Sequence, residues 1–465
     1  MYSLRTESDS MGPIELPEEA LYGASTQRAI QNFPVSGYRI ERSLIRAIGL
    51  IKTAAAETNQ ELGRLPENLA KLIIFASTEV ANGTHDIHFP VDVFQTGSGT
   101  STNMNANEVI ANRCSQLSRF PLGSHSPVHP NDHVNLGQSS NDVFPTSIHV
   151  AIASALTHEL APTLENLASA LSRKTTEFWD VLKIGRTHLM DATPIRLGQE
   201  FSGYRRQIEL AVGRVHSATA ALYELPLGGT AVGTGLNTHR LFAKSVIARL
   251  RKSTGIPWVE AANHFEAQSA KDAVVEASGH LKTIALSLFK IANDIRWLAC
   301  GPRIGIAEIQ LPETQPGSSM MPGKVNPVIC EALLQACTRV IGNDTTVCWA
   351  AGSLSNFELN VGMPVIAYAM LESIRLLTNS CHLFQIRCLE GITANKRHCE
   401  ASVENSISLV TQLVPQIGYD KAARIAKECA SSGKTVREVC IENQILPQDI
   451  LTQALNPIPM TRPSG

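Results

Sequence analysis

GSSMMPGKVNP, Gly317 to Pro327, is small, polar and glycine-rich, carries one lysine and one asparagine, and runs straight into a long apolar-patterned segment. Asn326 is a good helix N-cap and Pro327 a good first helical residue, so the stretch reads as a mobile loop feeding a helix N-terminus. That arrangement suits an anion, because free backbone N–H groups and the positive end of the helix dipole point at it. Lys324 adds a full positive charge. Ser318 and Ser319 add hydroxyls, and one of them could lose its proton if those charges stabilise the alkoxide. A plain Gly/Ser linker needs neither lysine nor asparagine at these spacings.

Outward from this loop the chain is dominated by helical periodicity. The helix after Pro327 is expected to run to about residue 352, and others are expected over 41–59, 66–82, about 143–176, 196–224, 267–299 and 362–388. The 267–299 segment is apolar on so many sides that it must be buried. Residues 395–465 carry shorter helical patterns and a Pro-rich tail, while 1–40, punctuated by Pro and Gly, are expected to be irregular. Helices of 25 or more residues in the middle third predict a mainly α fold built on a bundle. Three more polar stretches interrupt the pattern: Thr96–Asn105 (TGSGTSTNMN), Val128–Asp142 (VHPNDHVNLGQSSND) and Lys183–Pro194 (KIGRTHLMDATP), the last a loop or short strand pair. A glycine-rich connection, GGTAVGTGLNTH, spans Gly228–His239.

Composition bounds the partners. With 465 residues, 43% hydrophobic and a formal charge of -2, the chain is long enough for two or three domains and has no bias toward nucleic acid or an anionic membrane. Ten cysteines without a C-x-x-C pair fit a reducing compartment and give no iron–sulfur motif. No apolar run reaches membrane-spanning length, and the acidic N-terminus lacks the features of a signal or transit peptide, so a cytoplasmic protein is expected. Gly97-x-Gly99 lacks the following lysine of a phosphate loop, which removes nucleotide readings. His85 and His88 stand at helical spacing without a third ligand, so they are read as surface histidines and no metal or cofactor is expected.

The polar stretches, together with RTESDSMGPIELPEEALYGASTQRA near the start, resemble the fumarase/aspartase superfamily, and GSGTSTNMN, HPNDHVN, QSSNDVFPT, GRTHLMDA, GGTAVGTGLNTH and GSSMMPGKVNP resemble its metal-free fumarase branch in order and spacing. The resemblance implies three domains: a mostly helical 1–138, a central long-helix bundle 139–394 and a small helical 395–465. It also implies a homotetramer, with each active site drawn from three chains. The implied reaction is reversible, stereospecific addition of water to fumarate giving (S)-malate through an aci-carboxylate, a step of the tricarboxylic acid cycle.

What the resemblance assigns to residues is specific. Ser318 would be the base, as an alkoxide, and His188 with Glu331 would protonate the departing hydroxyl through a bound water. Ser98, Thr100, Ser139, Ser140, Asn141, Thr187, Ser319, Lys324, Val325 and Asn326 would contact substrate. His129, Pro130, Asn131 and Asp132 match a second dicarboxylate site near the entrance, where the family pattern often has an arginine shortly before the histidine and this chain has Ser126. Aspartate ammonia-lyases resemble GRTQ where this chain has Gly185-Arg186-Thr187-His188, and tend to alanine where it has Gly323. Argininosuccinate and adenylosuccinate lyases match less well, and a crystallin-like protein that kept only the fold would not need these positions intact.

Overall fold

The computed structural model describes residues 3–463. The first forty residues are more regular than expected. Strands β1 (Leu4–Asp9) and β2 (Gly12–Pro17) form an antiparallel hairpin, followed by α1 (Ala24–Asn32). Gly12 takes the positive φ (107°) that the tight turn requires, and the Asp9 carboxylate accepts the Met11 N–H. The N-cap of α1 is Gly23, which has no side chain to offer; Glu108, buried, accepts the N–H groups of Gly23, Ser25 and Thr26 in its place.

Helices α2 (Arg42–Glu61) and α3 (Glu67–Asn82) coincide with the two expected patterns. They pack closely because Gly49 has no side chain: a Cβ there would sit 2.7 Å from Ala81 N. Helix α4 (Thr100–Leu117) begins inside the stretch expected to be a loop. Gln95 allows the early start, its Oε1 accepting from Thr102 N at 3.0 Å and from the Thr102 hydroxyl at 2.8 Å. Helices α5 (Ser140–Ala155) and α6 (Ala161–Glu177) are joined by a wide π turn, Leu156–Leu160. Strands β3 (Leu182–Thr187) and β4 (Met190–Arg196) form the second hairpin. Then come α7 (Leu197–Ala221), α8 (Phe242–Thr254), α9 (His264–Ser269), α10 (Asp272–Leu298), α11 (Val328–Ser353) and α12 (Met363–Arg387). The expected 267–299 helix is therefore two, broken at Ala270–Lys271. Lys271, buried, turns its ammonium back onto the carbonyls of Ala267, Gln268 and Ala270 at the end of α9.

The chain divides into two compact units, each assembled from separated segments. One comprises 1–162, 212–285 and 337–378; the other 163–211, 286–336 and 379–465. The first is organised by α2, α3 and α5, whose apolar faces (Leu44, Ile48, Ile51, Ile73, Val80, Ile148) are fully buried. In the second, the C-terminal helices bury Val403, Leu409, Leu413, Ile425, Val439 and Leu451 together with Ile184 of β3. Although α10 has the dense apolar pattern that predicts complete burial, Leu286 (52%), Phe289 and Trp297 on it are exposed in the single chain. No described helix is long and apolar enough to cross a membrane.

Candidate active site

The first unit gathers one half of the expected contacts. Gly99 sits in the left-handed region (φ 73°) against the ring of Phe144, which lets the 97–100 turn lie flat on α5. Ser98 Oγ lies 2.8 Å from Thr100 Oγ1, which lies 2.7 Å from Ser140 Oγ, so three hydroxyls form one chain across the N-termini of α4 and α5. Ser139 caps α5, accepting from Asn141 N, and Asn141 Nδ2 donates to Ala231 O at 2.8 Å. The outcome is a cluster of hydroxyl donors at two helix starts, a setting for one carboxylate.

Two residues behind this cluster carry it and were not singled out from the sequence. Asp142, fully buried, accepts from Ser139 N (2.9 Å), Gly228 N (2.9 Å) and Thr230 N (3.0 Å), tying the serine turn to the glycine-rich connection. Burial raises its pKa above the ordinary carboxylate value, against those hydrogen bonds and the charge of Lys52. Lys52, also fully buried, donates to Asn135 and Gln138, and burial pushes its pKa down to about 7. Ser139-x-x-Asp142 is a capping-box spacing and could have pointed to Asp142; a lone lysine in an apolar helix gave no such signal for Lys52.

The second unit holds the other half. The 317–327 loop is closed at its stem: Gly317 N donates to Lys324 O at 2.8 Å and Asn326 Nδ2 to Gly317 O at 2.7 Å. Asn326 thus ties the stem through its Nδ2, and the helix starts at Val328, one residue beyond the expected start at Pro327. Gly317 is required there, since a Cβ would lie 2.4 Å from Lys324 O. Within the loop, Ser318 Oγ accepts two backbone N–H groups, from Met320 (3.1 Å) and Met321 (3.0 Å). Ser319, Lys324 and Val325 are exposed and Glu331 half-buried on the first turn of α11. A small, open recess beside the stem is lined by Thr314, Asn326, Pro327, Cys330 and Cys388.

Thr187 and His188 are at the exposed tip of the β3–β4 hairpin. His188 (φ 56°) and Leu189 (φ 60°) are both left-handed, the pair of conformations a type I′ turn demands and that Asn-Gly ordinarily supplies. Two side-chain-bearing residues held there store backbone strain. The His188 ring has no hydrogen bond among the described residues.

At the expected second site, His129 Nδ1 accepts from Asn131 N and Asp132 N across the Pro130 turn, with Asp132 Oδ2 3.4 Å away. Asn131 and Asp132 are exposed and Pro130 buried. The rings of His125 and His129 meet edge-on at 4.8 Å. His85 departs from the sequence expectation: it is buried, not on the surface, with Nε2 3.0 Å from Glu79, which also pairs with Arg113. His88 is half-buried and accepts from Leu21 N. Among the described residues no group of three or more His, Cys, Asp and Glu is placed to hold a metal.

Residues 12–342 match the Lyase family and residues 409–462 the Fumarase C C-terminus family. The chain is 50% identical over 459 residues to the fumarate hydratase class II of Neisseria meningitidis, covering 99% of both. It is 52% identical over 443 residues to that of Mycobacterium tuberculosis, covering 95% of this chain and 92% of the relative. The class II fumarase of Schistosoma mansoni superposes with a TM-score of 0.95 at 40% identity over 100% of both chains.

Proposed function

The chain belongs to the class II fumarate hydratase family, and from that membership we infer how its own residues carry the hydration of fumarate. The substrates are fumarate and malate. Malate's C3 proton is weakly acidic because the adjoining carboxylate can take up the charge as an aci-carboxylate. Ser318, as an alkoxide, removes that proton. The observation that carries this assignment is the pair of backbone N–H groups on Ser318 Oγ: hydrogen bonds to the charged form favour it, and Lys324 in the same loop adds charge. Ser319, Lys324, Val325 and Asn326 hold the carboxylate on which charge develops, while Ser98, Thr100 and the Ser139–Asn141 turn hold the other. His188, with Glu331 as its partner, protonates the hydroxyl as it leaves through a bound water, which no glutamine could do.

We assign the site to a homotetramer in which three copies contribute to each centre. Support comes from His188, which projects from a hairpin tip without a hydrogen-bond partner among the described residues, and from the uncovered apolar residues of α10. The segments 1–138, 139–394 and 395–465 are the corresponding domains. His129, Pro130, Asn131 and Asp132 are assigned to a second dicarboxylate site, in which Ser126 stands where the family pattern often has an arginine. The cytoplasm is the proposed location.

Ser318→Ala tests the central assignment. With Ser319, Lys324 and Asn326 in place, KM for malate should change little while kcat falls by about 10²–10⁴, the range general-base catalysis supplies. A variant keeping more than about a tenth of normal turnover removes Ser318 from the role of base.

A further inference from the structure

Two cations of the KIGRTH stretch are not used by the reaction as described, and their placement is unusual. In a regular strand Lys183 and Arg186 would point to opposite faces, since side chains alternate. The β3–β4 register shifts between Ile184 and Arg186, at Gly185, and this bulge turns both cations to the same side. There they meet one carboxylate. Glu308 Oε1 lies 2.7 Å from Arg186 Nη1 and Oε2 lies 2.9 Å from Lys183 Nζ. Glu308 is fully buried, Lys183 is 1% exposed, and Lys183 also pairs with Glu200 at 2.9 Å. The backbone of Glu308 is fixed as well, its N–H donating to Leu298 O and its carbonyl accepting from Asn395 N, both at 2.9 Å. The short strand Ile309–Gln310, paired with Thr393–Ala394, follows directly.

We propose that Glu308 is a positioning residue for fumarate hydration: its carboxylate grips the two cations that the bulge brings together and fixes the direction in which the Thr187–His188 turn projects. The proposal rests on His188 being the acid. The core seats the hairpin through Ile184, but the strained two-residue turn at its tip projects beyond that contact, and the Arg186 guanidinium, two residues from His188, is the polar anchor held nearest to it. A displacement of about 1 Å at a reacting group can cost on the order of 10²-fold in rate.

The test compares Glu308→Gln with Glu308→Gln/Lys183→Met in the full-length assembled enzyme, measuring kcat and KM for malate, Tm, and amide hydrogen exchange across residues 186–190. The single variant leaves a buried cation in excess; the double restores neutrality but leaves Arg186 without its anchor. Expected are a fall in kcat of about 10²-fold with KM within about threefold in both variants, faster exchange at 186–190 in both, and Tm recovered only in the double. If kcat returns together with Tm in the double variant, Glu308 serves charge balance alone and the proposal is wrong. Unchanged exchange overturns the grip. Faster exchange with normal kcat overturns its link to the reaction. The acid assignment is judged separately by His188→Gln, so the two ideas fail in different experiments.

Discussion

Gly99→Ala probes how closely the hydroxyl cluster depends on one missing side chain. The residue is at φ 73°, a conformation that costs an L-residue about 1–2 kcal/mol. An added Cβ would lie 2.3 Å from Phe144 Cγ and Cδ2, about 1 Å short of ordinary contact. Phe144 is fully buried and cannot swing into solvent, so the overpacking adds about 1–3 kcal/mol. A total of about 2–5 kcal/mol is more than the loop can absorb in place. The turn should therefore lift, carrying Ser98 and Thr100 with it by about 1 Å and breaking their hydroxyl chain to Ser140. Following fumarate absorbance with malate as substrate, kcat/KM should drop about 10²-fold, through KM as much as kcat, because a carboxylate holder is displaced. Gly203→Ala, where nothing lies within 4 Å of the new methyl, is the control and should be neutral or slightly stabilising. Gly99→Ala with kcat/KM within threefold of normal and an unchanged melting temperature would mean that the 97–100 turn does not set the substrate contacts.

His188→Gln should lose malate turnover by about 10²–10⁴ while a dicarboxylate inhibitor binds nearly as before; normal turnover removes His188 from the mechanism. His149, fully buried with Nδ1 facing the carbonyls of Leu222 and Glu224 and with Lys271 nearby, is pushed down to about 4 by burial. Its folded pKa lies below its ordinary 6.5, so the stability it contributes is present above pH 6.5 and is lost as pH falls toward 4, about 3 kcal/mol in all. Denaturant titrations at pH 7 and 4.5 should show a smaller drop in His149→Gln than in wild type, and equal drops would contradict the assignment. Light scattering should give four copies per particle, since Leu286, Phe289 and Trp297 lie open on α10; a stable, active monomer would refute the shared site.

Much of this architecture was legible in the sequence. The helices α2, α3, α7, α11 and α12 lie where apolar periodicity put them, because each buries one continuous stripe. The N-terminal hairpin was missed because Pro13 and Gly12 read as breakers, whereas here they shape a tight turn and an exposed strand. Helix α4 started early because its first turn is satisfied by Gln95, a partner outside the helix that no local rule detects. Short-range signals placed the serine turn and the 317–327 loop directly ahead of helices, as the structure has them. Asn326 took a second role that no local rule signals, its Nδ2 donating to the carbonyl of Gly317 across the stem. Lys52 and Glu308 are buried by contacts with distant segments that no local pattern announces, whereas Asp142 had a local capping-box signal that went unused.

The closed stem of the 317–327 loop bears on the thermodynamics of substrate capture. Fixing a residue's backbone costs about 1–2 kcal/mol in conformational entropy, so a base carried on an open tether would charge that toll against every binding event. Here Gly317 and Lys324 are paired and Asn326 bolts the neck, so folding has already met much of that cost. Less of the loop then remains to be ordered when an anion binds, and affinity is eroded less by that ordering.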